Sequence, residues 1–222
     1  MAKCDDEVAV VPPWRVDVFE VIYNCRAMRR LDTREVPDEL LVKLVEAANQ
    51  AASGGNQQRG RWIVVRDEQQ KRAIADLNHA ESAEFVKARI DRDESLPHHD
   101  AVTRARMLDA VLYLAEHMHT YPALIVACID FDERPKDVSA SASSIWPGVQ
   151  NLLLAARALG LGAVPTTYAI NRRDEFEAIL DLPPTMVAHA LIPVGFPLGN
   201  FGPVKRQPVG EIMRFDRWSS QP

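Results

Sequence analysis

Near its start the chain gathers cations that could hold an anion. Asn24-Cys25-Arg26-Ala27-Met28-Arg29-Arg30-Leu31 puts three guanidinium groups within five residues, and Lys205-Arg206 add two more cations far downstream. Guanidinium groups in such numbers grip phosphate through paired, charge-assisted hydrogen bonds. Cys25 stands beside the three arginines, a setting that lowers a thiol pKa. No histidine lies near it in sequence to act as its base, so a packing cysteine is the simpler account. The arginines also have a simple account from spacing alone. Val18, Ile22 and Cys25 recur at helical spacing, Arg29 continues the stripe, and cations are favoured at a helix C-terminus.

Other chemistries leave no trace. The sequence has no G-x-G-x-x-G, no G-x-x-x-x-G-K-[ST] and no G-x-S-x-G, so nothing points to a dinucleotide fold, a P-loop or a hydrolase elbow. His117 and His119 face different sides of any helix, and no cysteine or carboxylate completes a zinc set, so no metal is expected. Acidic residues exceed basic ones, 31 against 26 in 222 residues, which argues against a general nucleic-acid or membrane-surface binder. Cys4, Cys25 and Cys128 are odd in number and widely spaced, which fits a reducing, cytoplasmic compartment. The N-terminal stretch lacks the basic start and long apolar run of a signal peptide. The longest uncharged stretch, 138–156, holds Pro147, Gly148 and several serines, poor material for a bilayer span.

The elements that must position these residues read as a mixed α+β domain. Residues 1–14 read as an arm and 15–222 as one domain. Asp17 caps a first helix, with Glu20 three residues on. Pro37 opens a second, whose apolar face is Leu41, Leu44, Val45, Ala48 and Ala52. Residues 61–66, 123–130, 163–167 and 187–195 read as strands, and 123–130 has the continuous apolar run of a strand buried on both faces. Helices are expected over 67–77, from Ala101 to about Ala115, from Ser143 or Ser144 to 158, and over 172–180. Residues 78–100, charged and broken by Pro97, read as a lid over a site, with room for a short amphipathic helix around Phe85 and Arg89. The tail from Phe196 is rich in glycine and proline and reads as a second arm.

Taken in order, the segments 24–31, 36–41, 51–58, 149–162, 164–167, 192–197 and 205–208 resemble the FMN-dependent nitroreductase family, over about residues 16 to 215. The resemblance implies a central, mainly antiparallel sheet flanked by helices in an intertwined homodimer, with FMN at the subunit interface. It places the family's arginine-rich segment on Cys25, Arg26, Ala27, Met28 and Arg29, and its Pro-Ser-Gly segment on Ala52, Ser53 and Gly54, with Asn56 close behind. It places the flavin-edge strand on Pro165, Thr166 and Thr167, and the late arginine on Arg206. Cys25 stands where an arginine is common in the family, Ala27 where a serine is common, and Arg59-Gly60 where Pro-Trp is common.

On this resemblance Arg26 and Arg206 would grip the FMN phosphate. Arg29 would lie by the pyrimidine edge of the ring and favour its reduced anion. Ser53 and the backbone of Thr166 and Thr167 would hold the ribityl chain and the N5 edge. The implied activity is hydride transfer from NADH or NADPH to FMN, then to an electron-poor acceptor such as a nitroaromatic or quinone. The alternatives are a specialised family chemistry, such as dehalogenation or flavin fragmentation, and a non-catalytic FMN store.

Overall fold

The computed structural model describes residues 17–91 and 100–219, so the expected N-terminal arm and positions 92–99 of the expected lid lie outside the described residues. Its helices are α1 (Val18–Asn24), α2 (Asp38–Asn49), α3 (Glu68–Asp91), α4 (Ala101–His117), α5 (Trp146–Ala158), α6 (Tyr168–Asn171), α7 (Arg173–Ile179) and α8 (Val209–Ile212). Its strands are β1 (Gly60–Val65), β2 (Ala123–Asp130), β3 (Gly162–Ala163) and β4 (Met186–Gly195), joined in the order β1-β2-β4-β3 with every pairing antiparallel.

Strand β2 explains the layering. Its side chains alternate between faces. Ala123, Ile125, Ala127 and Ile129 pack with Leu44 of α2 and Leu152 of α5, while Leu124, Val126 and Cys128 pack with Ile74 of α3 and Leu114 of α4. Both faces are thus covered, as its unbroken apolar run requires. One irregularity interrupts the β2–β4 ladder. Ala127 pairs with Ala190 and Cys128 with Ala188, which leaves His189 as the extra residue of a bulge. Its ring meets the Ser141 hydroxyl at 3.3 Å.

Two helices differ from their sequence reading. Asp17 does cap α1, its carboxylate accepting from the N–H groups of Phe19 and Glu20. The helix nevertheless stops at Asn24, and the arginine cluster follows it in non-helical backbone, with Cys25 extended at φ −79° and ψ 112°. Tertiary hydrogen bonds outcompete helix continuation here. The Met28 N–H donates to the Ala163 carbonyl at 3.2 Å, the Asp32 N–H to that of Phe196 at 2.7 Å, and the Leu198 N–H to that of Arg30 at 3.0 Å. Val18 and Ile22, the expected inner stripe of α1, are exposed, and Val21 is its buried residue. Helix α3 errs the other way. It does not end near Leu77 but runs on to Asp91, so most of the segment read as irregular is helix. No glycine or proline lies between 78 and 91 to break it, and Val86 packs with Leu108 and Val111 of α4.

Candidate functional site

Two short strand-like stretches that follow α5 border the candidate site. The turn after α5 closes at Gly160, which takes the left-handed φ of +76° that glycine accepts freely. The chain then forms β3, and the Thr166 backbone bonds both ways with Leu191 of β4, at 2.8 and 3.0 Å. Pro165 lies between these points and forms a wall common to two hollows.

The larger hollow, about 450 Å³, is lined by Cys25, Arg26, Ala27, Gln150, Val204 and Arg206 among others. The second, about 350 Å³, is lined by Arg29, Asn78, Phe85, Trp146, Thr167 and Tyr168 among others. Both volumes lie in the range of small-molecule sites. Neither lining includes a carboxylate among the described residues, although the chain as a whole is acidic.

The arginine cluster is divided by its fold. Arg26 serves the larger hollow and Arg29 the smaller one. Arg30 is committed elsewhere, to Asp109 of α4 at 2.7 Å and to the face of the Tyr113 ring at 3.9 Å. Among the described residues neither Arg26 nor Arg29 forms an ion pair. Burial pulls the Arg29 pKa below its usual value, with Tyr168 opposing. An arginine remains charged through such a shift, so Arg29 is a half-desolvated cation. Its backbone is pinned from beneath, since the buried Tyr121 hydroxyl donates to the Arg29 carbonyl at 2.7 Å.

Several expected site residues sit differently. Met28 faces inward, 5% exposed in the core, and does not line either hollow. Cys25 lines the larger hollow, where its thiol donates to the Leu153 carbonyl at 3.6 Å. Burial pushes its pKa up against the pull of Arg157, as suits a packing cysteine. The Thr166 N–H and carbonyl are consumed by Leu191, and its hydroxyl donates to the Asn78 side chain at 3.2 Å. Thr166 therefore has no backbone donor to offer a ligand. The Thr167 N–H has no partner among the described residues and is the available one. Ser53 and Gly54 lie in a separate hollow. The Ser53 hydroxyl accepts from the Gln58 N–H, and the Gly54 N–H donates to Ser144 Oγ, both at 3.1 Å. Asn56, at φ 52°, turns the same loop. Within one chain these three do not reach the Arg26 and Arg29 hollows.

Sequence reasoning missed Asn78, Trp146 and Tyr168. Asn78 is buried at the middle of α3 and presents a lone polar residue in a charged stretch, which carries no pattern. Tyr168 directly follows the Pro165–Thr167 segment and could have been found by extending it one residue.

Residues 22–196 match the sequence model of the nitroreductase family. An NADH dehydrogenase of Thermus thermophilus is 30% identical over 198 residues, 85% of this chain and 90% of its own. An iodotyrosine deiodinase of Thermotoga neapolitana is 30% identical over 183 residues, 81% of this chain and 88% of its own. Among solved structures, oxidised iodotyrosine deiodinase bound to FMN and 3-iodo-L-tyrosine has a TM-score of 0.71 at 24% identity. It covers 91% of this chain and 100% of that one, a likeness of fold.

Proposed function

The chain belongs to the nitroreductase family, and from that premise we propose that it is an FMN-dependent oxidoreductase. It takes hydride from NADH or NADPH and passes it to an electron-poor acceptor, nitroaromatic or quinone-like. The observation that carries this reading is the pair of hollows meeting at Pro165, with Arg26 and Arg206 in one and Arg29 in the other. An elongated ligand with a phosphate at one end and a flat ring at the other matches that division of charge. Arg26 and Arg206 hold the phosphate by bidentate hydrogen bonds. Arg29 presents a partly desolvated cation to the ring edge where negative charge develops on reduction. The Thr167 N–H donates to the ring. When bound, the flavin supplies the electron chemistry, and the protein supplies position and charge.

The working unit is a homodimer. Phe19 and Tyr23 of α1, and Phe215 and Trp218 of the tail, are exposed large apolar residues of the kind a partner subunit covers, with both tail residues 71% exposed. A partner covering it also brings its own Ser53–Gly54 loop toward the cleft, which accounts for a loop that does not reach the cleft of its own chain. The acceptor is a small molecule.

The test is the visible spectrum of the purified protein before and after anaerobic NADH or NADPH. The reading requires a flavin spectrum that bleaches. A flavin that neither nicotinamide reduces would make the protein an FMN store, and a protein unable to take up FMN would end the reading. A second chemistry, reductive dehalogenation, is favoured by the 30% identity to an iodotyrosine deiodinase. It requires iodide release when the reduced protein meets 3-iodotyrosine.

A further inference from the structure

Tyr168 is the first residue of α6 and a wall of the Arg29 hollow. Its ring packs at a tilt against Phe85 of α3, centroids 5.1 Å apart. The Arg89 guanidinium lies over the same Phe85 ring, 4.8 Å from its centroid. The Tyr168 N–H donates to Thr166 Oγ1 at 3.5 Å, which holds the residue at the start of its helix. Its hydroxyl has no hydrogen-bond partner among the described residues, although it stands in a hollow lined by other polar groups. Packing against Phe85 fixes the ring and leaves the phenol free for a ligand.

Arg29, from the segment after α1, lines the same hollow, Arg89 of α3 lies over the Phe85 ring that packs on Tyr168, and no carboxylate among the described residues lines the hollow. Burial raises the phenol pKa above its usual value and the two guanidinium groups draw it back. The group is therefore protonated near neutrality, and the charges of Arg29 and Arg89 ease the loss of its proton. A protonated hydroxyl without a partner among the described residues, set beside Arg29 in the hollow, is placed to donate to a ligand there.

We infer that Tyr168 donates the proton that the acceptor needs when it is reduced. The inference rests on the flavin-oxidoreductase reading. The acceptor receives hydride from the reduced flavin, so it gains two electrons and the flavin loses two. Negative charge collects on the acceptor's quinone or nitro oxygen. There a new O–H bond forms as the Tyr168 O–H bond breaks, and the tyrosinate recovers its proton from water.

The experiment uses the FMN-loaded protein reduced with dithionite, so its outcome does not depend on either nicotinamide. Tyr168→Phe keeps the ring against Phe85 and removes only the hydroxyl. The reduced variant is mixed rapidly with p-benzoquinone and, separately, with ferricyanide, which accepts electrons without a proton. The expected result is a fall of about 100-fold with the quinone, with the ferricyanide rate unchanged. An equal fall with both oxidants would assign Tyr168 a packing role and overturn the proposal, as would an unchanged quinone rate. Apart from turnover, the ultraviolet titration of wild type minus Tyr168→Phe reports the phenol itself. Its midpoint should rise in an Arg29→Gln background, and a fixed midpoint would refute the electrostatic coupling. Failure of NADH and NADPH to bleach the flavin would count against the wider reading alone, while a protein that binds no flavin would end both.

Discussion

Gly162→Ala tests whether the cation segment is held rigidly from behind. A Cβ at Gly162 would lie 2.7 Å from Leu31 Cδ2, 2.9 Å from Met28 Cβ and 3.3 Å from Pro197 Cβ. The Gly162 backbone is not left-handed, so the substitution by itself stabilises by about 0.4–1 kcal/mol through the unfolded chain. The clash opposes this. The Leu31 methyl can swing away, but Met28 Cβ moves only with its backbone, whose N–H is tied to Ala163 beside the mutated residue. Overpacking of that kind costs about 1–3 kcal/mol. The clash wins, leaving a net loss near 1–2 kcal/mol and a fall in Tm of roughly 2–8 °C for a chain of this size. Met28 sits between Arg26 and Arg29, so its displacement moves both and weakens FMN binding. Thermal unfolding of the apoprotein and quenching of FMN fluorescence measure the two effects. Gly160→Ala is the control. Nothing lies within 4 Å of its Cβ but its φ is +76°, so it loses stability and keeps flavin affinity. A Gly162→Ala protein that is more stable and binds FMN as before would refute the reasoning.

Three further outcomes follow from the same structure. Arg29→Ala should slow reduction of bound flavin more than it weakens binding, whereas Arg206→Ala should chiefly release FMN; equal losses of FMN in both, by equilibrium dialysis, would contradict the division of roles. Burial, helped by Arg173, brings the His189 pKa from 6.5 down to about 4. A lowered histidine pKa favours the neutral ring in the fold, so its contribution is complete above about pH 6.5 and fades as pH falls through about 4. This amounts to roughly 3 kcal/mol, and urea unfolding of His189→Gln should show a flatter decline over that window. Truncation after Gln207 removes the exposed tail residues Val209, Phe215 and Trp218; analytical ultracentrifugation should find more monomer, and a tight dimer would show that the tail is not part of the interface.

Strands β1, β2 and β4 were legible to within one or two residues because burial writes itself into local runs of apolar residues. The face of α2 was legible in part, with Leu41, Leu44 and Ala48 buried as the spacing implies, while Val45 is half-buried and Ala52 lies exposed beyond the helix end at Asn49. The end of α1 was not. Cys25 and Arg29 satisfy helical spacing, and only the distant carbonyls of Ala163 and Phe196 decide against it. The extent of α3 was hidden because its charged surface resembles a loop, and what stabilises it is packing on α4. Of the expected site residues Arg26, Arg29, Pro165 and Arg206 do line the hollows, but the pairing around them was not legible. No local signal says that Leu191 occupies the Thr166 backbone or that Asp109 claims Arg30.

In a helix, Arg26 and Arg29 would stand three apart on one face and compete for one ligand group. In the non-helical segment that the chain adopts, Arg26 lines one hollow and Arg29 the other, so three residues measure the span between the two ends of a ligand. The segment acts as a ruler with a fixed number of divisions. Either arginine can be exchanged and leave the other in place, but adding or removing one residue between them would put both out of register at once. Variation in this site should therefore run through substitution, as at Cys25 and Ala27, and not through changes in length.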